Sequence, residues 1–393
     1  MDDEFLDTSR LPIDRRSRIP GAGFFYPDTV DEELKEQQAK AAIEGSEAVV
    51  VTDSDADGLG CIALIREAYD AAIEPEPFLT TLEARLSEDD ADEAEDDGPE
   101  FESPVALLAA GPHSLGETLE RVAEYADSGI DLFVCDLCPD SYETVSEPLE
   151  TLTSRCDRVS WYDHHQWTDE VFTAVSDAGV DLVVGDSEEE CSTDVALRSL
   201  EYDFDEQFVE LAAVTRDHDL WLNEDPRSQD LADYAFWSGP EEYAAIVGAY
   251  GVSLPTVVSE YIAHRRVEKE KLIDLAVERA DFKSVGPWTV GITYGRCSQN
   301  EVADALRDQG ADAAVIVKPA GSASLRGSDD FEKCHLVARQ VNGGGHPKAS
   351  GCKPGIYDDM LDYAHHWTTE GSAAKRVILA AFERVADESV TEA

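Results

Sequence analysis

The sequence predicts an α/β protein: a doubly wound parallel sheet in the N-terminal part and a smaller α/β domain in the C-terminal part, joined by a helical connector. Three observations predict it. From residue 48 to about 200, short continuous apolar runs alternate with segments of helical periodicity, the pattern of a parallel sheet covered on both faces. Several of those runs end in Asp or His. After a stretch of helices, a second strand-and-helix pattern starts near Val285. At 393 residues the chain is long enough for two or three domains with cores of their own.

Residues 1–27 are polar, with Phe24, Phe25 and Tyr26 expected to pack on the domain. Residues 30–45 read as a helix ending at Gly45, and 48–51 as a buried strand. Asp53, Asp55 and Asp57 follow at alternate positions, then Gly58, Gly60 and a helix. Residues 76–82 read as a short second strand, and the acidic run 87–103 as a solvated loop. A strand at 105–110 is broken by Gly111-Pro112, and 115–126 is helical. The strand 131–136 ends on Asp136. After a helix through Leu149 and Leu152, the strand 158–163 ends in Asp163-His164-His165. One more strand covers 180–184, and Ser192-Thr193-Asp194 reads as the cap of the next helix.

From Phe204 the pattern is helical and carries the cluster Asp217, His218, Asp219. Residues 229–250 and 254–281 are expected helices, the second with a charged middle that suits an exposed connector and hinge. Strands are expected at 288–294 and 313–318, with a helix between them, and from 323. A helix over 330–341 leads into Asn342-Gly343-Gly344-Gly345-His346, and a last helix runs over 358–386. The expected organisation is a catalytic domain over 1–239, a connector over 240–284 and a substrate-binding domain over 285–393.

Lys+Arg number 31 against 85 Asp+Glu, a formal net charge of −54, yet 42% of residues are hydrophobic. The chain can therefore bury a core. Acids spread over the whole length suit a protein kept soluble in very high salt. At molar salt the Debye length is about 3 Å. Acidity then does not exclude a nucleic-acid substrate, although counterion release would add little to binding. The opening MDDEFLDTSR is not a signal peptide, and no apolar run nears the ~20 residues of a membrane span. The expectation is a cytoplasmic protein with its eight cysteines as free thiols. Cys135 and Cys138 have CxxC spacing but no second pair, and read as ordinary thiols.

Four separated places offer ligands for a hard cation: Asp53/Asp55/Asp57, Asp136, His164/His165 and Asp217. In a parallel sheet, strand ends of one polarity meet at one edge. Like charges gathered there without a cation would cost several kcal/mol per buried ion. Carboxylates with imidazole suit manganese, with zinc or magnesium as alternatives. Two ions about 3.5–4 Å apart can clamp a phosphate and activate water. In the second domain, the consecutive glycines let backbone approach a phosphate and form an anion nest. Arg326 and His346 can add charge to that pocket.

The segments Asp53-Ser54-Asp55-Ala56-Asp57-Gly58, Asp136 after its apolar strand, and Asp163-His164-His165 resemble the successive motifs of the DHH phosphoesterase superfamily. Asp217 in AVTRDHDLW is similar to the fourth motif, which Asp219 also fits; the spacing after AAVT favours Asp217. SLRGS and NGGGHPKASG resemble the DHH-associated domain with its Gly-Gly-Gly-His signature. The resemblance covers residues 48–354. It implies a two-metal phosphodiesterase, usually manganese-dependent. Asp55, Asp57, Asp136, His164 and Asp217 would be ligands, with Asp53 where relatives carry Asp or His. His165 would contact the substrate phosphate and Asp163 would orient its neighbours. Arg326, Gly343, Gly344, Gly345 and His346 would hold the substrate. The first motif is closer to RecJ-like exonucleases than to nanoRNases. The implied reaction is hydrolysis of single-stranded DNA or RNA, or of short oligonucleotides, from an end. The length leaves no room for the extra OB domain of long RecJ proteins, which favours short substrates. Cleavage of a cyclic dinucleotide is a close variant. A non-catalytic replisome scaffold with replication or repair partners is the alternative from another class. A pyrophosphatase is disfavoured by the Gly-Gly-Gly-His domain.

Overall fold

The computed structural model describes residues 28–87, 99, 101–112, 114–139 and 141–391, in two compact units that part between Ala263 and His264. Phe24, Phe25, Tyr26 and most of the acidic run expected as a loop lie outside the described residues.

The first unit begins with α1 (Asp28–Ile43), β1 (Ala48–Thr52), α2 (Ala56–Ala68), α3 (Glu76–Ser87), β2 (Val105–Ala109) and α4 (Leu115–Tyr125). It continues through β3 (Asp131–Cys135), α5 (Ser146–Arg155), β4 (Arg158–Asp163), α6 (Asp169–Asp177), β5 (Asp181–Val184) and α7 (Ser192–Ser199). Four helices follow: α8 (Glu206–Asp219), α9 (Pro226–Trp237), α10 (Pro240–Tyr250) and α11 (Thr256–Glu278), the last running across the division between the units.

The five strands pair in parallel in the order β2-β1-β3-β4-β5. Alternate residues of each strand enter opposite cores. Val50, Phe133 and Tyr162 pack with Ile62 and Leu211 on one face. Val49, Leu132 and Trp161 pack with Leu119 and Leu149 on the other. The expected doubly wound sheet is therefore present, and its all-apolar strands are explained by burial on both sides. The order reverses between β1 and β3. In such sheets ligands bind at that switch point, outside the carboxyl ends of the strands.

One element differs from expectation. Residues 76–82 belong to α3, not to a strand. Phe78 and Leu82 are its buried residues, four apart, which is the helical period.

The second unit holds β6 (Asp281–Val285), β7 (Trp288–Tyr294), α12 (Gln299–Asp308), β8 (Ala313–Val317), β9 (Ala323–Gly327), α13 (Cys334–Arg339), β10 (Gly343–Gly345), β11 (Ala349–Cys352), α14 (Met360–Thr368) and α15 (Ser372–Thr391). Its sheet has the order β10-β11-β9-β8-β7-β6, with only β7 and β8 parallel. One face packs on α13 and α15 through Val337, Ile378 and Phe382, and the other on α12 through Val302 and Leu306. The triple glycine, read as a nest-forming loop, is the edge strand β10, hydrogen-bonded to β11 in an antiparallel hairpin.

All eight cysteines are free thiols. Among the described residues no helix is long and apolar enough to cross a membrane.

Candidate metal centre

Three parallel strands and the end of α8 bring the centre's acids to the switch point. β1 passes directly into α2, whose N-cap is Asp55; its Oδ1 accepts the amides of Asp57 at 3.0 Å and Gly58 at 3.1 Å. Glycine is required at 58 because a Cβ there would lie 2.4 Å from the Asp53 carbonyl oxygen. Asp57, in the first turn of the helix, is thereby placed over the end of β1. Asp136 directly follows β3, and its amide continues the ladder to the Tyr162 carbonyl at 3.0 Å. Its φ of +56° is left-handed, a conformation aspartate tolerates better than most residues, and it ends the strand there. β4 ends at Asp163 and turns the two histidines toward β3.

His164 Nε2 lies 3.9 Å from Asp57 Oδ2, 3.7 Å from Asp136 Oδ1 and 3.3 Å from Asp219 Oδ2. His165 Nδ1 lies 3.8 Å from Asp136 Oδ1 and 2.7 Å from Asp163 Oδ1. Two ligand groups result: Asp57, His164 and Asp219 in one, Asp136, His164 and His165 in the other. Within each, ligand atoms lie within 4.8 Å of one another. Asp57, Asp136, Asp163 and His164 are buried, whereas the His165 side chain is 37% exposed.

The electrostatics are those of acids crowded together out of water. Burial, followed by the charges of Asp57, Asp55, Asp219 and Asp163, pushes Asp136 well above the carboxylate range. Burial and then Asp57 and Asp55 do the same to Asp219. Asp53 is raised to about 6 by burial and by Asp55. Asp163 goes the other way. Burial opposes its ionisation, but bonds from His165 and from Trp167 Nε1, the latter 2.6 Å from Oδ2, hold it low. For His165, burial disfavours the imidazolium, yet the bond to Asp163 and the nearby acids raise it to about 9.

A divalent cation fits these residues. Asp219 Oδ2 and His164 Nδ1 are buried without a hydrogen-bond partner, and Asp219 Oδ2 faces His164 Nε2 and the other carboxylates. The donors are carboxylate oxygen and imidazole, the set that suits manganese, zinc or magnesium.

Most of the residues expected at the site meet here, with two adjustments. Asp217 is not brought into the cluster. Its Oδ1 accepts the Glu224 amide at 2.9 Å, and its Oδ2 accepts the Asp225 amide at 3.2 Å and the Ser228 hydroxyl at 2.6 Å. It fastens the turn between α8 and α9, and Asp219 takes the place expected for it. Asp53 and Asp55 lie at the rim, outside both ligand groups. Asp53 accepts the Ser54 amide at 2.6 Å, and Asp55 is occupied as the α2 cap.

Two partners of the centre were not singled out for it from the sequence. Trp167 is one; only its place two residues after the His pair could have suggested it. The start of α7 is the other. Ser192 donates its amide to Asp57 Oδ2 at 2.7 Å and its hydroxyl to Asp136 Oδ1 at 2.9 Å. Thr193 donates its amide to Asp57 Oδ1 at 2.8 Å.

In the second unit, Arg326 on β9 donates Nε–H to Asn300 Oδ1 at 2.8 Å. Gly343, Gly344 and Gly345 form β10, and His346 begins its turn to β11, its amide bonded to the Ala349 carbonyl at 2.7 Å.

No protein-family model and no curated protein sequence matches the chain. Solved structures do. The DHH domain of a member of a family of ribosomal proteins matches with a TM-score of 0.52 and 16% identity, over 90% of this chain and 95% of that one. The exonuclease RecJ bound to manganese matches at 0.50 and 14%, over 87% of this chain and 94% of that one. RecJ from Thermus thermophilus, in complex with Mn2+, matches at 0.51 and 15%, over 89% of this chain; the likeness spans about half of that longer protein, 54%. The likeness is one of fold.

Proposed function

We propose that this chain, which has the fold of the DHH and RecJ proteins, is a metal-dependent phosphodiesterase that shortens single-stranded nucleic acid or short oligonucleotides from an end. The observation that carries the reading is the gathering of Asp57, Asp136, Asp219 and His164 at the switch point of the sheet, with an orphaned carboxylate oxygen facing the group. Such a cluster is costly unless cations neutralise it. Asp57, Asp136, His164 and Asp219 would hold divalent ions, manganese first, with His164 common to both ligand groups. Ions held there would lower the pKa of a bound water and offset phosphate charge.

The chain's own groups supply the rest. His165, partly exposed and oriented by its bond to Asp163 Oδ1, would donate from its other ring nitrogen to a phosphoryl oxygen of the substrate. Trp167 and Asp163 fix its ring, so the donor is aimed before substrate arrives. The segment from Arg326 to Lys353 supports a polyanionic substrate. It carries five Lys/Arg against three Asp/Glu in a chain whose net charge is −54. We assign substrate holding to this segment, with Arg326, the β10 backbone and His346 as contacts. A scaffold that had lost catalysis would have no need to keep so complete a ligand set.

The test is an assay in molar KCl with manganese, on labelled DNA and RNA of several lengths and on a cyclic dinucleotide. The expected result is stepwise shortening of a single strand that Asp136→Ala abolishes with the fold intact. Metal-independent turnover, or turnover untouched in the Asp136→Ala protein, would overturn the reading.

A further inference from the structure

We propose that Ser192 is a positioning residue for the metal centre, aiming Asp57 and Asp136 together; the inference rests on the metal-centre reading above. The sequence offers a simpler role for this segment, as a helix cap. The structure gives that task to others. Cys191 occupies the N-cap of α7, and Asp194 closes a capping box by accepting the Cys191 amide at 3.1 Å. The hydroxyl of Ser192 and the first two amides of α7 are thus left for another purpose.

All of them are used on the acids of the centre. Ser192 is fully buried. Its amide reaches Asp57 Oδ2 at 2.7 Å, and its hydroxyl reaches Asp136 Oδ1 at 2.9 Å, with Asp163 Oδ1 at 3.5 Å. A hydroxyl has one proton, and the shorter contact takes it. One residue therefore ties the acid that follows β1 to the acid that follows β3, across the point where the strand order reverses. Thr193 completes the grip, its amide 2.8 Å from Asp57 Oδ1 and its hydroxyl 2.8 Å from the Asp57 carbonyl oxygen. The positive end of α7 faces the same carboxylate. The approach of the two helices is specified by Gly60, where a Cβ would lie 2.4 Å from Thr193 Oγ1. With both carboxylates fixed by donors on α7, the oxygens they present to a cation are set in advance.

Groups that orient metal ligands typically cost about 10–100-fold in metal affinity or activity when removed. Manganese binding to the full-length protein in molar KCl, followed by the electron paramagnetic resonance signal of the free ion, reads this directly. The metal-free melting temperature is measured beside it. Ser192→Ala is expected to weaken manganese binding about 10–100-fold. Ser192→Thr, which keeps the hydroxyl, is expected to restore it. If Ser192→Ala does not fold, Ser192→Cys keeps the volume with only a weak donor and is expected to weaken binding likewise. A folded Ala or Cys variant that binds manganese as the wild type does overturns the inference, including where only its melting temperature falls. Wild-type protein that binds no manganese overturns instead the metal-centre reading on which it rests.

Discussion

Asp217 and Asp219 stand two residues apart at the end of α8 and serve different ends. At 3.6 residues per turn they point about 160° apart, so only one of them can face the sheet edge. Their neighbours do not say which, because Asp217 lies between Arg216 and His218 and Asp219 between His218 and Leu220; the spacing after AAVT favoured Asp217, whereas the structure places Asp219 in the cluster. The geometry distinguishes them: Asp217 meets three donors of the following turn, while Asp219 meets His164. Asp219→Ala is therefore expected to lose manganese while folding, measured by metal content after desalting. Asp217→Asn is expected to bind manganese normally and to cost about 1–3 kcal/mol in denaturant unfolding, as buried donors lose their acceptor. Asp217 also makes a prediction about acid. Burial raises its pKa, but Ser228 and the amides of Glu224 and Asp225 outweigh that and depress it below the ordinary value. A depressed carboxylate stabilises the fold above its unfolded value of about 3.9, and the contribution is lost as pH falls through the folded value. The stability gap between wild type and Asp217→Asn should therefore narrow below about pH 4. A gap that stays constant down to acid unfolding would show that Asp217 acts only through packing.

The hairpin of β10 and β11 makes the corresponding argument for an element. Three consecutive glycines read as a flexible loop, because no side chain reveals strand periodicity. In the structure two of them have local reasons. A Cβ at Gly343 would lie 2.1 Å from the Gly351 carbonyl oxygen, and Gly345 has φ +129°. Gly344 has neither: no atom lies within 4 Å of a Cβ placed there, and its φ is ordinary. Fold alone does not call for glycine at 344. Close approach of a substrate backbone or phosphate would. Gly344→Ala is expected to leave the melting temperature unchanged and to raise KM for the best oligonucleotide with little change in kcat, as for a contact equal in ground and transition states. Unchanged kinetics would remove β10 from the substrate site. Strands flanked by acids were legible because burial on both faces makes them continuous apolar runs and the acids mark their ends. α3 was not, since EPFLTTL is too short for periodicity to separate helix from strand and its paired threonines favour the latter. Ser192 and Thr193 were legible as a helix start, but their partners, Asp57 and Asp136, are distant in sequence and only the fold brings them there.

At the scale of the whole molecule, the charge of −54 decides the conditions under which either unit folds. It was fully legible in the composition; the division between units falls inside the expected connector, but α11 runs unbroken across it, so no change of periodicity marks the exact position. Two unit charges 10 Å apart in water repel by about 0.4 kcal/mol. With 85 acids and 31 basic residues, at least 54 acids cannot be matched one-to-one with a basic partner. At 0.1 M salt the Debye length is about 10 Å and much of this repulsion survives; at 1 M it is about 3 Å and little does. Ten such pairs already amount to roughly 4 kcal/mol, and each kcal/mol moves the melting temperature of a domain this size by about 2–4 °C. The melting temperature is therefore expected to rise by roughly 10 °C between 0.1 M and 1 M KCl. Screening depends on ionic strength and not on the ion. NaCl and tetramethylammonium chloride should consequently act like KCl at equal concentration. A rise confined to one cation would point instead to specific ion binding among the surface acids, and a flat profile would show that those acids are spaced widely enough to tolerate dilute buffer. The same screening separates stability from metal binding: a divalent ion at the proposed centre would sit among buried ligands, where salt screens least, so its affinity should change far less over this range than the melting temperature does.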